Sequence, residues 1–451
     1  MNFLYSPLLT TLAFVILSTV PTEAQWQPVG SPGFSAGMVE YPDMTIAPDQ
    51  FPSIVFGDWT SAFKLSAMHY TGTTWQVLGN AGFTDGQPMD PTIRYDHAGV
   101  PYVAFRDLAN GNRITVMKLE GSTWIRVGTN GPSAVDGANP SLAFGSDDTP
   151  YVAFTDGSQG NHVSVKKFEN GDWIGLGAEG FSAITASDIT LAMNSENVPY
   201  VAYHGNSAGC SVDRFVNGAW EAVGNLADLY NARITDLAID ANDVPHIAFN
   251  DAGDDFHAKV KKFDNDAWTQ VGSAATTGDE SPDRLGMAMH TNGTIYLAYT
   301  DTDLSSRTTV KKYSNGNWQL VGDAGFTASM TSELSIAVDQ AGIPHIAFKD
   351  PDHTFKATVM RFLDGNTAVQ DNALFATAQL MPNPAKDHIV LTGLPTDAHV
   401  TVYDLSGKLW QTSRPLTDPY TLNTTDLPAG SYFVQVVATG GQYRLSFVVA
   451  R

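Results

Sequence analysis

Short apolar runs separated by turn-forming residues fill the chain from residue 25 to residue 363. In residues 140 to 177 the runs are "SLAF", "YVAF", "VSVKKF" and "WIGLG", and stretches such as "GSDDTP" and "ENGD" separate them. Short runs bounded by Gly, Asp, Asn and Pro predict β-strands rather than helices. Each unit of this kind therefore predicts four antiparallel strands joined by tight turns.

Three phrases recur seven times along this part of the chain. The predicted second strand reads "FPSIVFGD", "VPYVAFRD", "TPYVAFTD", "VPYVAYHG", "VPHIAFND", "TIYLAYTD" and "IPHIAFKD". A Trp, then Val or Leu, then Gly marks the fourth strand, beginning at Trp26, Trp75, Trp124, Trp173, Trp220, Trp268 and Trp318. The predicted inner strand contains Thr45-Ile46, Thr92-Ile93, Ser141-Leu142, Thr190-Leu191, Asp236-Leu237, Gly286-Met287 and Ser335-Ile336. A fixed period of this length predicts a repeat architecture.

Four antiparallel strands repeated radially predict an all-β fold, a seven-bladed β-propeller of four-stranded blades, over residues 25–370. The Trp26 strand precedes the first unit, and the last unit lacks its own Trp strand. We therefore expect the Trp26 strand to dock as the outer strand of the last blade and to close the ring, which leaves fewer open sheet edges. The recurring Trp and Phe are expected to pack between blades.

Most copies of the second-strand phrase end in Asp, and each of these has a basic or imidazole residue six positions later. The one copy without Asp ends at Gly205 and continues to Gly209, just before Cys210. We predict cross-strand pairs that close the hairpin and shape its loop, with a ring of ligand-contacting carboxylates as the alternative. The predicted pairs are Asp58 with Lys64, Asp107 with Arg113, Asp156 with His162, Asp251 with His257, Asp301 with Arg307, and Asp350 with Lys356.

The propeller face that carries these hairpin loops also carries acidic and aromatic candidates for ligand contact. The acids, at the predicted starts of inner strands, are Asp43, Asp90, Asp188 and Glu333; the aromatics, in loops, are Trp59, Phe63, Tyr230, Phe256 and Phe355. Aromatic faces can stack on the C–H groups of a sugar while carboxylates accept from its hydroxyls. These residues predict a binding face, with local loop packing as the alternative role of the aromatics.

The amino-acid composition limits the classes of partner that the protein can bind. The chain has 47 acidic and 25 basic residues, a net charge of -22, which argues against nucleic acid or an anionic membrane surface as a partner. The single cysteine, Cys210, cannot form an intrachain disulfide. Residues 1–24 contain an apolar run from Leu8 to Val20 followed by Ala24, which predicts a secretory signal peptide. We expect a monomer.

Signatures of catalysis and metal binding are missing from the sequence. It contains no G-x-S-x-G nucleophile, no Gly-Lys-Ser/Thr phosphate loop, no zinc-type Cys/His spacing and no twelve-residue calcium loop. The turn "LEGSTW" resembles the repeated turn of sialidase propellers but has Leu119 where that turn has Asp. We therefore predict no catalytic residue, no metal ligand and no cofactor. A calcium ion bound in the channel is an alternative that no sequence pattern supports.

Residues 371–451 read as a separate small β-sandwich, and their motifs carry a family resemblance. Pro382, Asn383 and Pro384 are followed by Asp404 and Gly407, then by Gly430 and Tyr432 within "LPAGSY", and the chain ends in Arg451. This order resembles the C-terminal sorting domain (type A) of the type IX secretion system of Bacteroidota. The resemblance implies passage across the periplasm and outer membrane, partnership with that secretion machinery, and release or attachment at the cell surface.

The propeller itself resembles secreted seven-bladed propellers and, distantly, lectin and sialidase propellers. The favoured hypothesis is a secreted or surface-bound protein that recognises a glycan or another protein through its loop face. One alternative is a carbohydrate-active enzyme, a glycosidase or lyase, with its site at the channel mouth, which needs two suitably spaced carboxylates. The other is a structural or adhesion component of the surface.

Overall fold

The computed structural model describes residues 25–205, 209–225, 229, 232–272, 284–363, 379–381, 385–394, 398–404, 408–413, 417, 419–438 and 441–450. These residues form β-strands joined by turns and short 3-10 helices. No helix in these ranges is long and apolar enough to cross a membrane. The predicted signal peptide, residues 1–24, and the predicted domain boundary at 370/371 lie outside the described residues.

Seven four-stranded antiparallel sheets make up the described part of residues 25–363. After strand β1 (Gln25–Pro28), sheet 1 contains β2 (Val39–Ile46), β3 (Pro52–Asp58), β4 (Lys64–Tyr70) and β5 (Trp75–Val77). Sheet 2 contains β6 (Pro88–Tyr95), β7 (Pro101–Asp107), β8 (Arg113–Glu120) and β9 (Thr123–Arg126). Sheet 3 contains β10 (Gly137–Phe144), β11 (Pro150–Asp156), β12 (His162–Glu169) and β13 (Asp172–Gly175). Sheet 4 contains β14 (Ser187–Met193), β15 (Pro199–Gly205), β16 (Gly209–Val216) and β17 (Ala219–Ala222).

The remaining three sheets repeat the same order. Sheet 5 contains β18 (Ala232–Ile239), β19 (Pro245–Asp251), β20 (His257–Asp264) and β21 (Ala267–Gln270). Sheet 6 contains β22 (Leu285–Met289), β23 (Ile295–Asp301), β24 (Arg307–Ser314) and β25 (Asn317–Leu320). Sheet 7 contains β26 (Leu334–Val338), β27 (Pro344–Asp350) and β28 (Lys356–Leu363). Its fourth strand is β1, because Trp26 pairs with Phe362 in antiparallel register.

The sheets form a closed ring, which confirms the predicted propeller. The first strand of each sheet contacts the first strand of the next, and β26 of sheet 7 contacts β2 of sheet 1. Seven apolar clusters fill the seven junctions between neighbouring sheets. At the closing junction, Phe56 of sheet 1 packs with Val359 of sheet 7. Burial of these apolar faces between sheets is the main force that holds the ring together.

The recurring Trp provides a second link between neighbouring sheets. Each indole N–H donates to the carbonyl of the Val or Leu in the preceding copy of the same phrase, as Trp124 does to Leu78 at 2.8 Å. Trp26 closes the series by donating to Val321 at 2.8 Å. The other five bonds run from Trp75 to Val29, Trp173 to Val127, Trp220 to Leu176, Trp268 to Val223, and Trp318 to Val271. A side chain expected only to pack between sheets therefore also satisfies a backbone carbonyl at the junction.

The C-terminal residues form two sheets around one apolar cluster. Sheet 8 contains β29 (Gln379–Met381), β30 (His388–Thr392) and β33 (Tyr420–Asn423). Sheet 9 contains β31 (His399–Asp404), β32 (Leu409–Ser413), β34 (Gly430–Ala438) and β35 (Gly441–Val449). Side chains of both sheets, such as Leu391 and Val434, share the cluster. This arrangement is the predicted β-sandwich.

The strand register corrects one sequence alignment. The sequence alignment treats the first residue of each recurring inner-strand pair, such as Thr92 of Thr92-Ile93, as equivalent. In six sheets this residue pairs with an Ala of the second strand, as Thr92 pairs with Ala104. In sheet 1 the equivalent residue is Asp43, which pairs with Val55, and not Thr45, which lies two positions later and pairs with Ser53. The similarity of "TI" in Thr45-Ile46 to Thr92-Ile93 produced the error, because the same irregularity precedes Asp43 and Thr92 and makes those two residues equivalent.

Candidate functional site

The start of each inner strand and the loop after each second strand lie at the same end of the sheet. Val39 at the start of β2 pairs with Asp58 at the end of β3, and Pro88 of β6 pairs with Asp107 of β7. The loops that follow are here called the loop face, formed by residues 59–63, 108–112, 157–161, 252–256, 302–306 and 351–355. The loop face therefore surrounds the axis of the ring, where the inner strands begin.

The recurring Asp shapes these loops by accepting hydrogen bonds. One oxygen of Asp58 accepts from the amide and the hydroxyl of Thr60, at 2.9 and 2.6 Å, which caps the 3-10 helix Trp59–Ser61. The other accepts at 2.9 Å from the hydroxyl of Ser66. Ser66 in turn accepts from the amide of Gly82, in the segment leading to sheet 2. The carboxylate thus ties its own loop to the neighbouring sheet.

The other five copies of the Asp also accept a hydrogen bond from the side chain eight residues later, which is the position of Ser66 relative to Asp58. The donors are the hydroxyls of Thr115, Ser164, Thr309 and Thr358, and the ammonium group of Lys259. Asp107 departs from the pattern, since it makes no side-chain cap and instead receives the guanidinium of Arg126 at 3.1 Å. The recurring Asp is therefore part of the scaffold that positions the loop face.

The predicted partners of the Asp residues need correction. Each of the six predicted pairs lies directly opposite in strand register, as Asp58 does to Lys64 and Asp350 to Lys356. None of the six, all of whose residues are described, forms an ion pair across the hairpin. In five of the six pairs the carboxylate is buried inside the turn, where amides and hydroxyls reach it, and Asp251 is half-buried. The basic or imidazole side chain after the turn is partly or fully exposed. In sheet 4, Gly205 pairs with Gly209, and residues 206–208 lie outside the described residues.

The predicted aromatics occupy several loops rather than one cluster. Trp59 is 55% exposed, and its ring stands edge-on to Phe63 with centroids 4.9 Å apart. Phe355 is 45% exposed and lies beneath the ammonium group of Lys349, at 5.7 Å from the ring centroid. Phe256 is also exposed, and Tyr230 lies outside the described residues. Trp59 and Phe355 belong to neighbouring sheets 1 and 7, whereas Phe256 belongs to sheet 5.

A cavity of about 320 Å³ lies on the axis, among the starts of the inner strands. Its collar is apolar and consists of Pro42, Pro91, Pro140, Ile189, Leu285 and Leu334. A ring of aligned inner-strand residues lies below the collar and consists of Asp43, Thr92, Ser141, Thr190, Asp236, Gly286 and Ser335. Arg94 lines the cavity two positions further along β6. The surface that faces the cavity is more polar than apolar, which favours a ligand with hydroxyl or charged groups.

Three of the four predicted acids line this cavity. They are Asp43, Asp90 and Asp188; Glu333 is not in its lining and accepts from the amide of Tyr41 at 2.7 Å. Asp90 and Asp188 have φ angles of 50° and 48°, at irregularities in the pairing of their strands. Asp tolerates this left-handed conformation better than most residues. Asp43, at the aligned position, has a different role from Asp90, which precedes Thr92 by two residues.

Asp43 is held by several donors of the neighbouring sheets. One oxygen accepts from Arg94 at 2.8 Å and from the amide of Ile93 at 2.9 Å. It also accepts from the hydroxyl of Thr92 at 3.0 Å, and the other oxygen accepts from Ser335 at 3.2 Å. The Arg94 guanidinium makes this carboxylate part of a neutral pair.

Asp236 and Arg94 were missed by the sequence predictions. Asp236 accepts from the amides of Leu237 and Met287, at 2.9 and 3.2 Å. Its pKa is raised to about 6, chiefly by burial and further by the charge of Asp43, against the lowering effect of the two amides and Arg94. Burial also raises the pKa of Asp90. The signal in the sequence was the break in the repeat: positions 43 and 236 carry acid where the other sheets have a hydroxyl or Gly.

The charges at this position exceed what the scaffold needs. Ser141 caps the amide of Leu191 at 2.9 Å, and Ser335 caps the amide of Met44 at 3.1 Å, each across a sheet junction. Asp43 and Asp236 cap the equivalent amides of Ile93 and Met287. A neutral hydroxyl thus performs the structural task that the two carboxylates also perform. Within the described residues, no group of three or more His, Cys, Asp or Glu is arranged to hold a metal ion.

Residues 379–450 match the family model of the secretion system C-terminal sorting domain. Of its predicted motif, Asp404 accepts from the indole of Trp410 at 2.8 Å, and Tyr432 donates to the carbonyl of Pro428 at 2.8 Å. Gly430 begins β34, and Pro382, Asn383, Pro384 and Gly407 lie outside the described residues. The sorting domain indicates interaction with the type IX secretion machinery and export through the outer membrane, to the cell surface or the medium.

This chain is similar to several solved structures at low sequence identity, and the first of those that follow shares its propeller fold. An ulvan lyase, from a new polysaccharide lyase family, is 10% identical with a TM-score of 0.51, covering 74% of this chain and 95% of its own. PorZ, a surface component of the type IX secretion system of Porphyromonas gingivalis, is 14% identical with a TM-score of 0.40, covering 91% and 70%. The fucose-bound lectin of Aleuria aurantia is 15% identical with a TM-score of 0.41, covering 64% and 96%. No curated protein matches this chain in sequence.

Proposed function

We propose that the propeller is a saccharide-binding module of the cell surface, and that its loop face and axial cavity hold the ligand. The observation that carries this proposal is the combination found at one end of the ring. Exposed aromatic side chains stand in loops around a cavity with an apolar collar and polar walls. Saccharides present both C–H faces and hydroxyl groups, so they require this combination of surfaces.

The aromatic residues at the junction of sheets 7 and 1 offer the best contact outside the cavity. Trp59 and Phe355 are large, exposed rings on neighbouring sheets. Between them and the axis, Lys349 forms an ion pair with Glu40 at 2.7 Å. Charged groups beside an exposed ring can accept from and donate to the hydroxyls of a sugar stacked on that ring.

The two alternatives receive less support from the geometry. An enzyme needs an acid and a base, but four donors of the scaffold hold the carboxylate of Asp43, and two backbone amides hold that of Asp236. For a purely structural component, a neutral hydroxyl at the position of Asp236 would make the same cap without a buried charge. Binding of a ligand in the cavity gives this carboxylate a role.

A screen of the purified protein on a glycan array tests the proposal. We expect binding to a restricted set of saccharides, and we expect Trp59→Ala to weaken it roughly five- to tenfold, the value of one stacked aromatic contact. Leu320→Ala is the matched control, because Leu320 is 50% exposed but lies on the outer strand β25. A blank array contradicts the proposal, and equal losses in the two variants remove Trp59 from the site.

A further inference from the structure

The axial cavity carries a carboxylate that the protein does not neutralise. Asp43 and Arg94 form an ion pair at 2.8 Å. Asp236 lines the same cavity, and among the described residues no cationic side chain forms an ion pair with it. Each of its two oxygens accepts a hydrogen bond from one neutral backbone amide, that of Leu237 or that of Met287, and neither amide carries a net charge. A partly buried carboxylate without a counter-ion is costly unless a ligand supplies the opposite charge.

The upper part of the cavity adds further negative charge. Asp90 and Asp188 line it above the aligned ring. Asp188 forms a long contact of 3.9 Å with the imidazole of His204. Arg106 stabilises the ionised form of Asp90, whereas Asp188 destabilises it. Four carboxylates therefore line this cavity, and one of them is neutralised by Arg94.

We propose that the axial cavity binds the ammonium group of an amino sugar, with Asp236 as its counter-ion. The proposal rests on the saccharide-binding function proposed above and names the class of sugar. The ammonium group would donate to the carboxylate of Asp236, and the sugar ring would contact the apolar collar through its C–H groups. A volume of about 320 Å³ lies in the range of small-molecule sites and accommodates one sugar residue.

The same charges select against other sugars. A uronate or a sulfated sugar would place its negative charge beside Asp43, Asp90, Asp188 and Asp236, and like charges at close range repel each other. An N-acetylated sugar fits the polar walls but leaves Asp236 without a counter-ion. Free amino sugars should therefore bind best, neutral sugars less well, and acidic sugars worst.

Binding should also depend on pH. The pKa of Asp236 is raised to about 6, chiefly by burial. The charged groups facing it across the cavity are Asp43, Asp90, Asp188 and Arg94. Above pH 6 Asp236 is ionised and attracts the ammonium group, while below pH 6 it becomes protonated and loses that attraction. Affinity for an amino sugar should therefore fall as the pH drops through this range.

Calorimetric titration with two matched oligosaccharides tests the proposal. The ligands are the glucosamine tetramer, which carries free ammonium groups, and the N-acetylglucosamine tetramer, which does not. At pH about 7 we expect the glucosamine tetramer to bind at least about tenfold more tightly, and we expect Asp236→Asn to remove this preference. At pH about 5 the preference of the wild type should also decline, since protonation mimics the Asn substitution.

Two further variants control for folding and for general attraction to an acidic protein. Thr190→Phe fills the cavity from a different sheet and should also abolish binding of the glucosamine tetramer. Glu196→Gln removes one charge from an exposed turn at the opposite end of the sheets, outside both the cavity and the loop face, and should leave the affinity unchanged. Each variant is checked for a native-like unfolding transition before titration.

The outcomes separate this inference from the proposed function. Equal binding of the two tetramers, or an equal loss in Asp236→Asn and Glu196→Gln, overturns the ammonium site. If the array identifies a neutral or acidic saccharide whose binding needs Trp59 but not Asp236, the proposed function stands and the inference fails. If no saccharide binds the protein at all, both fail together.

Discussion

At the scale of single residues, the most informative positions are those that break the repeat. A hydroxyl is sufficient to cap the amide across a sheet junction, as Ser141 does for Leu191. Asp43 and Asp236 do the same with a carboxylate and so add charge to the axis. Asp43 is neutralised by Arg94, whereas Asp236 is not. At these two breaks in the repeat the cap also adds charge to the axis, which the cap itself does not require.

Asp236→Asn should make the protein more stable above pH 6. The folded-state pKa of Asp236 is raised to about 6 from an ordinary value of 3.8, so the folded protein holds this proton more tightly than the unfolded chain. This residue therefore lowers stability progressively as the pH rises from about 4 to about 6. The pKa shift corresponds to a loss of about 2–3 kcal/mol in the free energy of unfolding at neutral pH. The Asp236→Asn variant avoids this loss, because Asn does not ionise.

Urea unfolding of the wild type and Asp236→Asn at several pH values measures this difference. We expect nearly equal free energies of unfolding at pH about 4 and a gain for the variant at pH about 7. Asp303→Asn, in an exposed turn, should follow the wild type at every pH. A variant as stable as, or less stable than, the wild type at neutral pH would show that the carboxylate is satisfied in the empty cavity.

The sequence predicts which residues lie opposite each other in the hairpins better than it predicts which way their side chains point. The co-occurrence of Asp107 with Arg113, and of the equivalent residues in five other units, correctly indicated residues opposite each other in a hairpin. Sequence could not show that the carboxylate turns into the loop, because amides and hydroxyls compete with the basic side chain for it. The relevant donors lie eight residues after the Asp, as Ser66 does for Asp58, a spacing that charge patterns do not reveal.

At the scale of elements, each sheet is joined to its neighbour by one apolar cluster and one indole hydrogen bond. The sequence predicts that the recurring Trp packs between sheets, and the ring of indole hydrogen bonds adds a polar link to each junction. The bond from Trp26 to Val321 closes this series. Register was harder to predict, since Thr45 resembles Thr92 in residue type, whereas the residue that holds the position of Thr92 in sheet 1 is Asp43.

Trp124→Phe should destabilise the protein by about 1–2 kcal/mol. The rings of Trp124 and Phe83 stack with their centroids 4.5 Å apart, and a Phe at position 124 keeps an aromatic ring for this contact. The substitution leaves the carbonyl of Leu78 without its donor. Trp59→Phe is the control, because Trp59 is 55% exposed and should change stability by less than about 0.5 kcal/mol. Chemical unfolding curves compare the two, and equal small effects would mean that packing alone holds the junctions.

At the scale of the whole molecule, the chain joins a ring of seven sheets to a sorting domain. Both could be predicted from the sequence, because repeated phrases determine the architecture and the motif order from Asp404 to Tyr432 marks the sorting domain. The axial cavity could not, because its walls come from inner strands distributed over the full length of the ring. Export brings the loop face outside the outer membrane, where surface and environmental saccharides are available.

Hydrogen exchange with and without the strongest array ligand tests the central claim most directly. The account predicts slower exchange in the loop-face segments 59–63 and 351–355 and at the starts of the inner strands. The turns at the opposite end of the sheets, such as residues 47–51 and 145–149, should exchange at unchanged rates. Protection confined to those opposite turns, or to the sorting domain, while the ligand is bound would contradict binding through the loop face.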